Sequence, residues 1–156
     1  MLYKNIAVAV DGSRTSLLAL SHAAELAQKA NAQLTLVTIA SPAEFMSIAP
    51  EFLQNQSHEV AAMEQSREIL SYAEKVAVEA GVKKVDTHMA VSTGAGNSRE
   101  MAKELVDFCE ERNVDLIVLG THGRTGLMYM LMGSFAETLM RVSTLPLLII
   151  RRPQES

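Results

Sequence analysis

The sequence holds one cysteine in 156 residues, no tryptophan and four prolines. A lone cysteine, Cys109, excludes an intramolecular disulfide framework. The fold must then be held by its core, and a reducing compartment is expected. Positive charge is also short: 14 Lys and Arg against 18 Asp and Glu leave a net charge of −4. Nucleic-acid binding relies on a basic field, and the basic residues nowhere run beyond an adjacent pair such as Arg151-Arg152, so no nucleic-acid partner is expected. No apolar run reaches the roughly 20 residues of a spanning helix, so no membrane partner is expected either. The opening MLYKNIAVAV carries Lys4 and Asn5 and runs into Asp11-Gly12 without a small-residue cleavage pattern. It reads as a buried first strand and not as a signal peptide. The expected location is the cytoplasm.

What is present suits a globular domain: 48% hydrophobic and 21% charged residues. No repeat or linker divides the chain, so residues 1–156 are expected to form one domain. Ile6–Val10 is a short apolar run, the pattern of a strand buried on both faces. Leu17, Leu20, Ala24 and Ala27 repeat at helical spacing, and Asn31 ends that helix. Leu34–Ile39 is a second strand. Ser41-Pro42-Ala43-Glu44 has the form of a helix start, but Pro50 interrupts, and residues 43–56 read as irregular. From about Ser57 a helical stripe runs through Ile69, Leu70, Ala73, Val76, Ala77 and Ala80, closed by Gly81.

Val85, Thr87, Met89 and Val91 then alternate with Asp86, His88 and Ala90, which predicts a strand more exposed on one face. A glycine loop follows at Gly94 and Gly96. Asn97 with Glu100 suggests a capping box for a helix striped by Met101, Leu105, Phe108 and Cys109. Leu116–Leu119 is a buried strand ending at Gly120. Ser134 and Glu137 suggest a second capping box, before a helix face of Phe135, Leu139 and Val142. Leu147–Ile150 is the last strand. Strands alternating with helices imply an α/β fold: a doubly wound, five-stranded parallel sheet with helices on both faces.

In such sheets ligands bind at the carboxyl ends of the strands, where the strand order reverses. Three loops fall on that edge: Asp11-Gly12-Ser13, the loop with Gly94 and Gly96, and Gly120 through Ser134. In the third, glycines let the backbone approach a ligand closely. Ser134 opens a helix, whose free N–H groups and positive dipole end favour an anion. Backbone N–H groups from the Gly123–Thr125 turn and from Gly133-Ser134 could hold a phosphate, helped by the hydroxyls of Thr121, Thr125 and Ser134. Spacing alone leaves a plain turn equally open, and Ser134 also reads as a helix cap.

The spacing Gly120, two residues, Gly123, nine residues, Gly133-Ser134 resembles the nucleotide-binding signature of the universal stress protein family. The segments Val118–Leu127, Gly133–Glu137 and Pro146–Ile150, and a first strand ending in Asp11-Gly12-Ser13, are similar to it as well. The likeness covers essentially the whole chain. It implies a Rossmann-like domain of the adenine nucleotide α-hydrolase type that binds ATP, with AMP or ADP as alternatives and Mg²⁺ as a companion ion. On this resemblance Asp11, with Gly12 and Ser13, would sit by the ribose and polyphosphate, and Asp11 would be the metal ligand. Ile39 would meet adenine through its backbone. Gly120, Thr121, His122, Gly123, Arg124, Gly133, Ser134 and Phe135 would surround the phosphates and ribose. The family also implies a homodimer through the C-terminal edge strand, residues 147–150, whose apolar edge needs covering. One departure stands out: the third-strand loop is Gly94-Ala95-Gly96-Asn97, without the proline the family often carries there.

The four histidines, His22, His58, His88 and His122, show no metal-ligand spacing. His22 and His88 read as surface residues, and Cys109 as core. Arg124 reaches a phosphate or lies solvated at the loop tip. Met128, Met130 and Met132 read as core or interface filling. No nucleophile–base pair is visible, and Gly133-Ser134 lacks the lysine of a P-loop. Any ATP hydrolysis is expected to be slow. A nucleotide-binding regulatory or stress-response protein is the first reading. A slow ATPase or nucleotide-dependent enzyme is the second, and a ligand-free dimeric scaffold the third.

Overall fold

In the computed structural model, which describes residues 3–40, 58–91, 98–121 and 134–151, the apolar runs become parallel strands. They are β1 Asn5–Ala9, β2 Gln33–Ala40, β3 Lys84–Val91, β4 Leu116–Gly120 and β5 Leu147–Ile150. Four helices alternate with them among the described residues: α1 Arg14–Ala30, α2 His58–Glu79, α3 Ser98–Glu111 and α4 Ser134–Val142. All pairings are parallel and the strand order is β3-β2-β1-β4-β5. The α/β reading therefore holds, with its doubly wound sheet. Residues 43–57 and the glycine loop through Asn97, where an irregular stretch and a capping box were expected, lie outside the described residues. Among the described residues no helix is long and apolar enough to cross a membrane.

Alternation along each strand sorts the core into two layers. Ile6, Val8, Val10, Leu34 and Leu36 pack under α1 and α2, against Leu20, Ala23, Ala24, Ala27, Leu70, Ala73 and Ala77. The alanine stripe of α1 is what lets that helix lie close on the sheet. On the opposite face Ala7, Val37, Ile117 and Leu119 meet Ala102, Leu105, Cys109, Ala136 and Leu139 of α3 and α4. Cys109 is a core residue, as expected, and burial pushes its thiol up to about 12.

Three helices end in the same way. Asn31 (φ 51°), Gly81 (φ 92°) and Asn113 (φ 58°) adopt the left-handed conformation. The next residue then reaches back across the last turn: Ala32 N–H to Ala27 O at 2.9 Å, Val82 N–H to Ala77 O at 3.2 Å and Val114 N–H to Cys109 O at 2.9 Å. This closure delivers each chain into the next strand at the amino edge of the sheet. There the Asp115 carboxylate accepts N–H bonds from Lys4 (2.8 Å) and Asn5 (3.2 Å), fixing β1 against β4.

His88 departs from the expectation of a surface residue. It lies on the α3 side of the edge strand β3 and stacks on Phe108, ring centroids 3.9 Å apart and 10° from parallel. Arg112 caps the same Phe108 ring, its guanidinium carbon 5.2 Å from the centroid. Burial, and then the Arg112 charge, hold the imidazole below its ordinary value of 6.5, with Asp86 opposing. The unfolded chain therefore binds a proton more readily than the folded one. The contribution is intact above the ordinary value and is lost as pH falls through the lowered folded value. Wild type is expected to lose more stability between pH 7.5 and 5.5 than His88→Phe, which keeps the stack but cannot titrate. Parallel urea denaturations at the two pH values check this, and equal losses would remove His88 as the cause.

Candidate functional site

β1 runs through α1 to β2 on one side, and β4 lies on the other side of β1. The strand order reverses between β1 and β4, which makes their carboxyl ends the switch point. The two strands are aligned there by the register Ile6↔Leu116, Ala7↔Ile117 and Val8↔Val118. Asp11-Gly12-Ser13 leaves β1 on the same edge at which Gly120-Thr121 leaves β4.

The first loop is a tight hydrogen-bonded turn. The Asp11 carboxylate accepts the Ser13 N–H at 2.9 Å. Ser13 caps α1 by accepting the Ser16 N–H at 3.1 Å, and Ser16 Oγ accepts the Asp11 N–H at 3.0 Å. Ser13 is thus the helix cap and Asp11 the residue that shapes the turn before it, half-buried at the strand end. Ser16 was not singled out from the sequence, although a serine two positions into an α1 capped by serine is a visible signal. Gly12 takes φ +84°, a conformation that L side chains rarely adopt, and its missing Cβ faces Ile69 of α2 at 3.4 Å.

Gly120 has a packing reason of its own. A Cβ built on it would lie 2.4 Å from Thr15 Cγ2, 3.0 Å from Thr15 Cβ and 3.1 Å from the Thr15 carbonyl carbon. Only glycine lets β4 end directly against the first turn of α1. Thr121 follows with its N–H committed to Ile150 O at 3.0 Å, and it is buried. That N–H belongs to the sheet and is not offered to a ligand. Ile39 is half-buried near the end of β2 and pairs with Ala90 of β3. The β1–β2 register stops at Ala9↔Val37, so Ile39 stands at the rim, beyond the last rung of β1.

Ser134 opens α4 on this edge and is exposed. The expected capping box is replaced by other contacts: Glu137 Oε1 lies 3.0 Å from Arg141 Nη2 one turn further along, and Ser134 Oγ lies 2.7 Å from Ser98 Oγ. Phe135 sends its ring into the core beside α3, so what it has for a ligand is its backbone N–H in the first turn of α4. Of the candidate residues, the structure gathers Asp11, Gly12, Ser13, Ile39, Gly120, Thr121, Ser134 and Phe135 at one end of the molecule. His122, Gly123, Arg124 and Gly133 lie outside the described residues. Ser98 was missed by sequence reading, because nothing local links residues 36 positions apart.

The arrangement has the chemistry of an anion site. The N-termini of α1, α3 and α4 all begin at the carboxyl edge of the parallel sheet, so their dipoles present positive ends there. Among the described residues no three His, Cys, Asp or Glu side chains gather into a metal set of their own. A single half-buried carboxylate such as Asp11 instead suits a Mg²⁺ ion that shares its coordination with phosphate oxygens. A groove of about 220 Å³ runs between α1 and α2 and borders the same turn: Gly12 and Ser16 line it together with Val10, Leu20, Ile69 and Ala73, and Glu68 is its one charged lining residue. Its largely apolar lining and the Glu68 charge do not favour a phosphate there.

Comparison with known proteins places these features in a family context. The model of the universal stress protein family matches residues 2–151. The universal stress protein MJ0531 of Methanocaldococcus jannaschii is 33% identical over 154 residues, covering 99% of this chain and 85% of that protein. Among solved structures, the hypothetical protein MJ0577 superposes with a TM-score of 0.77 at 26% identity, covering 99% of this chain and 100% of its own. A universal stress protein solved in complex with cAMP superposes with a TM-score of 0.66 at 26% identity, covering 97% of this chain and 98% of its own.

Proposed function

The chain belongs to the universal stress protein family, and from that premise we propose that it is a regulatory protein of the stress response that binds an adenine nucleotide. ATP is the proposed ligand, with AMP and ADP as alternatives. The observation that carries this reading is the convergence of the Asp11–Ser13 turn, the end of β4 and the N-terminus of α4 at the switch point. The cAMP complex of a structural relative at 26% identity supports the adenine nucleotide class.

In this reading the backbone N–H groups opening α4 and the Ser134 hydroxyl bind phosphate oxygens. The turn at Gly12 brings backbone near the ribose, and Ile39 offers main-chain groups to adenine at the rim of β2. Mg²⁺ carried with the nucleotide would neutralise phosphate charge, and Asp11 would hold it. Occupancy is the proposed signal, since these loops carry neither a P-loop lysine nor a nucleophile–base pair. A slow ATPase remains the alternative and is separated by single-turnover measurement. The edge strand β5, with Leu147, Leu148 and Ile149 half-buried, is the proposed homodimer contact. The single cysteine and the acidic net charge fit a cytoplasmic protein without a nucleic-acid partner.

The test is to denature freshly purified protein, identify released small molecules by mass spectrometry, and titrate the emptied protein with ATP and Mg²⁺. Released ATP, or saturable binding of ATP or AMP, is the expected result. No released nucleotide together with no binding would sink the reading and leave a dimeric scaffold.

A further inference from the structure

Two hydroxyls from different helices meet at the proposed site. Ser98, the first residue of α3, and Ser134, the first residue of α4, have their Oγ atoms 2.7 Å apart. Each hydroxyl has one proton and two lone pairs, so only one of them donates in this bond. The choice sets what Ser134 presents outward. If Ser134 donates to Ser98, its lone pairs remain, and these repel a phosphate oxygen, which is purely an acceptor at neutral pH. If Ser98 donates to Ser134, the Ser134 proton is left for the ligand.

Ser134 is held in place by its own helix. Its carbonyl accepts the Thr138 hydroxyl at 2.7 Å, and the nearby Glu137 carboxylate is bonded to Arg141 at 3.0 Å. The Ser98–Ser134 bond also ties the start of α3 to the start of α4, so the two positive helix ends sit side by side.

Resting on the nucleotide reading above, we infer that Ser98 is a positioning residue for the phosphate group: it donates to Ser134 and thereby turns the Ser134 O–H onto a phosphate oxygen. Ser98 touches no ligand in this arrangement and acts through Ser134 alone. Its effect must therefore depend on Ser134, and it must be confined to ligands that carry phosphate.

The experiment is a double-mutant cycle read by titration with ATP and Mg²⁺, with adenosine as the phosphate-free control. Ser98→Ala is expected to weaken ATP by about three- to tenfold, the range of one neutral hydrogen bond. It is expected to leave adenosine unchanged and to have no further effect in a Ser134→Ala background. Ser98→Thr keeps the hydroxyl and is expected to restore wild-type affinity, which a helix-packing defect would not allow. Undiminished ATP affinity in Ser98→Ala would overturn the inference, as would an equal loss for adenosine or an effect that persists without Ser134. Wild-type protein that binds neither ATP nor AMP would instead overturn the nucleotide reading itself, and the inference with it.

Discussion

Gly120→Ala is expected to destabilise the fold by about 1–3 kcal/mol, the usual cost of forcing an extra carbon into a packed interior. The added Cβ would stand 2.4 Å from Thr15 Cγ2, and Thr15 cannot retreat, because it is buried in the first turn of α1 and its own backbone carbon lies 3.1 Å away. Relief requires β4 and α1 to separate at the switch point. Thr15→Ser removes the Cγ2 and with it the worst contact, while the contacts to Cβ at 3.0 Å and to the backbone remain. The double variant should therefore be less destabilised than the sum of the single variants by about 1 kcal/mol, a coupling within the range seen for touching residues. Denaturant melts of the four proteins check this, and strict additivity would mean that the strain is released elsewhere. The first glycine of the family-like spacing is thus required by packing, whatever it also does for a ligand. A binding defect in Gly120→Ala says little about nucleotide contact unless stability is measured beside it.

The same residue shows what the sequence made legible. Gly120 was marked as special because it ends an apolar run and starts a glycine-spaced loop, and both observations stand. Its physical reason, the flank of Thr15, depends on how α1 lies across β4, which no local pattern contains. The sheet itself was legible because Ile6–Val10, Leu116–Leu119 and Leu147–Ile150 are unbroken apolar runs, Leu34–Ile39 is apolar but for Thr35 and Thr38, and alternation gave β3 away. The helix ends were legible at Asn31 and Gly81, since few residues tolerate the left-handed conformation found there. Where the reading failed, other contacts had won, long-range ones at His88 and Ser98 and a same-helix one at Glu137. His88 looked exposed from its alternating neighbours, but Phe108 of α3 covers it. Glu137 had the spacing of a capping box, yet its carboxylate bonds Arg141. Ser98 carried no signal because its partner is in another helix. At the site, the Asp11-Gly12-Ser13 turn was legible as a break, but the division of labour within it was not. No local pattern says that Ser13 caps α1 while Asp11 shapes the turn before it.

That division of labour decides how Asp11 is to be tested. Its carboxylate accepts the Ser13 N–H at 2.9 Å, so Asp11→Ala removes a turn-forming bond as well as a charge. Some loss of binding would follow from either. Asp11→Asn separates them, because its amide oxygen can still accept the Ser13 N–H while the charge is gone. Stability is expected to fall by about 1 kcal/mol in Asp11→Ala and by less than about 0.5 kcal/mol in Asp11→Asn. Nucleotide binding should divide differently. A carboxylate beside a bare polyphosphate repels it, so in the absence of Mg²⁺ the neutral variant should bind ATP as well as wild type or better. With Mg²⁺ present the carboxylate becomes an attractive group, and its loss should cost about 2 kcal/mol, roughly thirtyfold in affinity. The measured quantity is the gain in ATP affinity on adding Mg²⁺, compared between wild type and Asp11→Asn. A large gain in wild type that collapses in Asp11→Asn places the ion at Asp11. The same gain in both proteins would leave Asp11 as the residue that shapes the turn ahead of α1, with the ion held by the nucleotide alone.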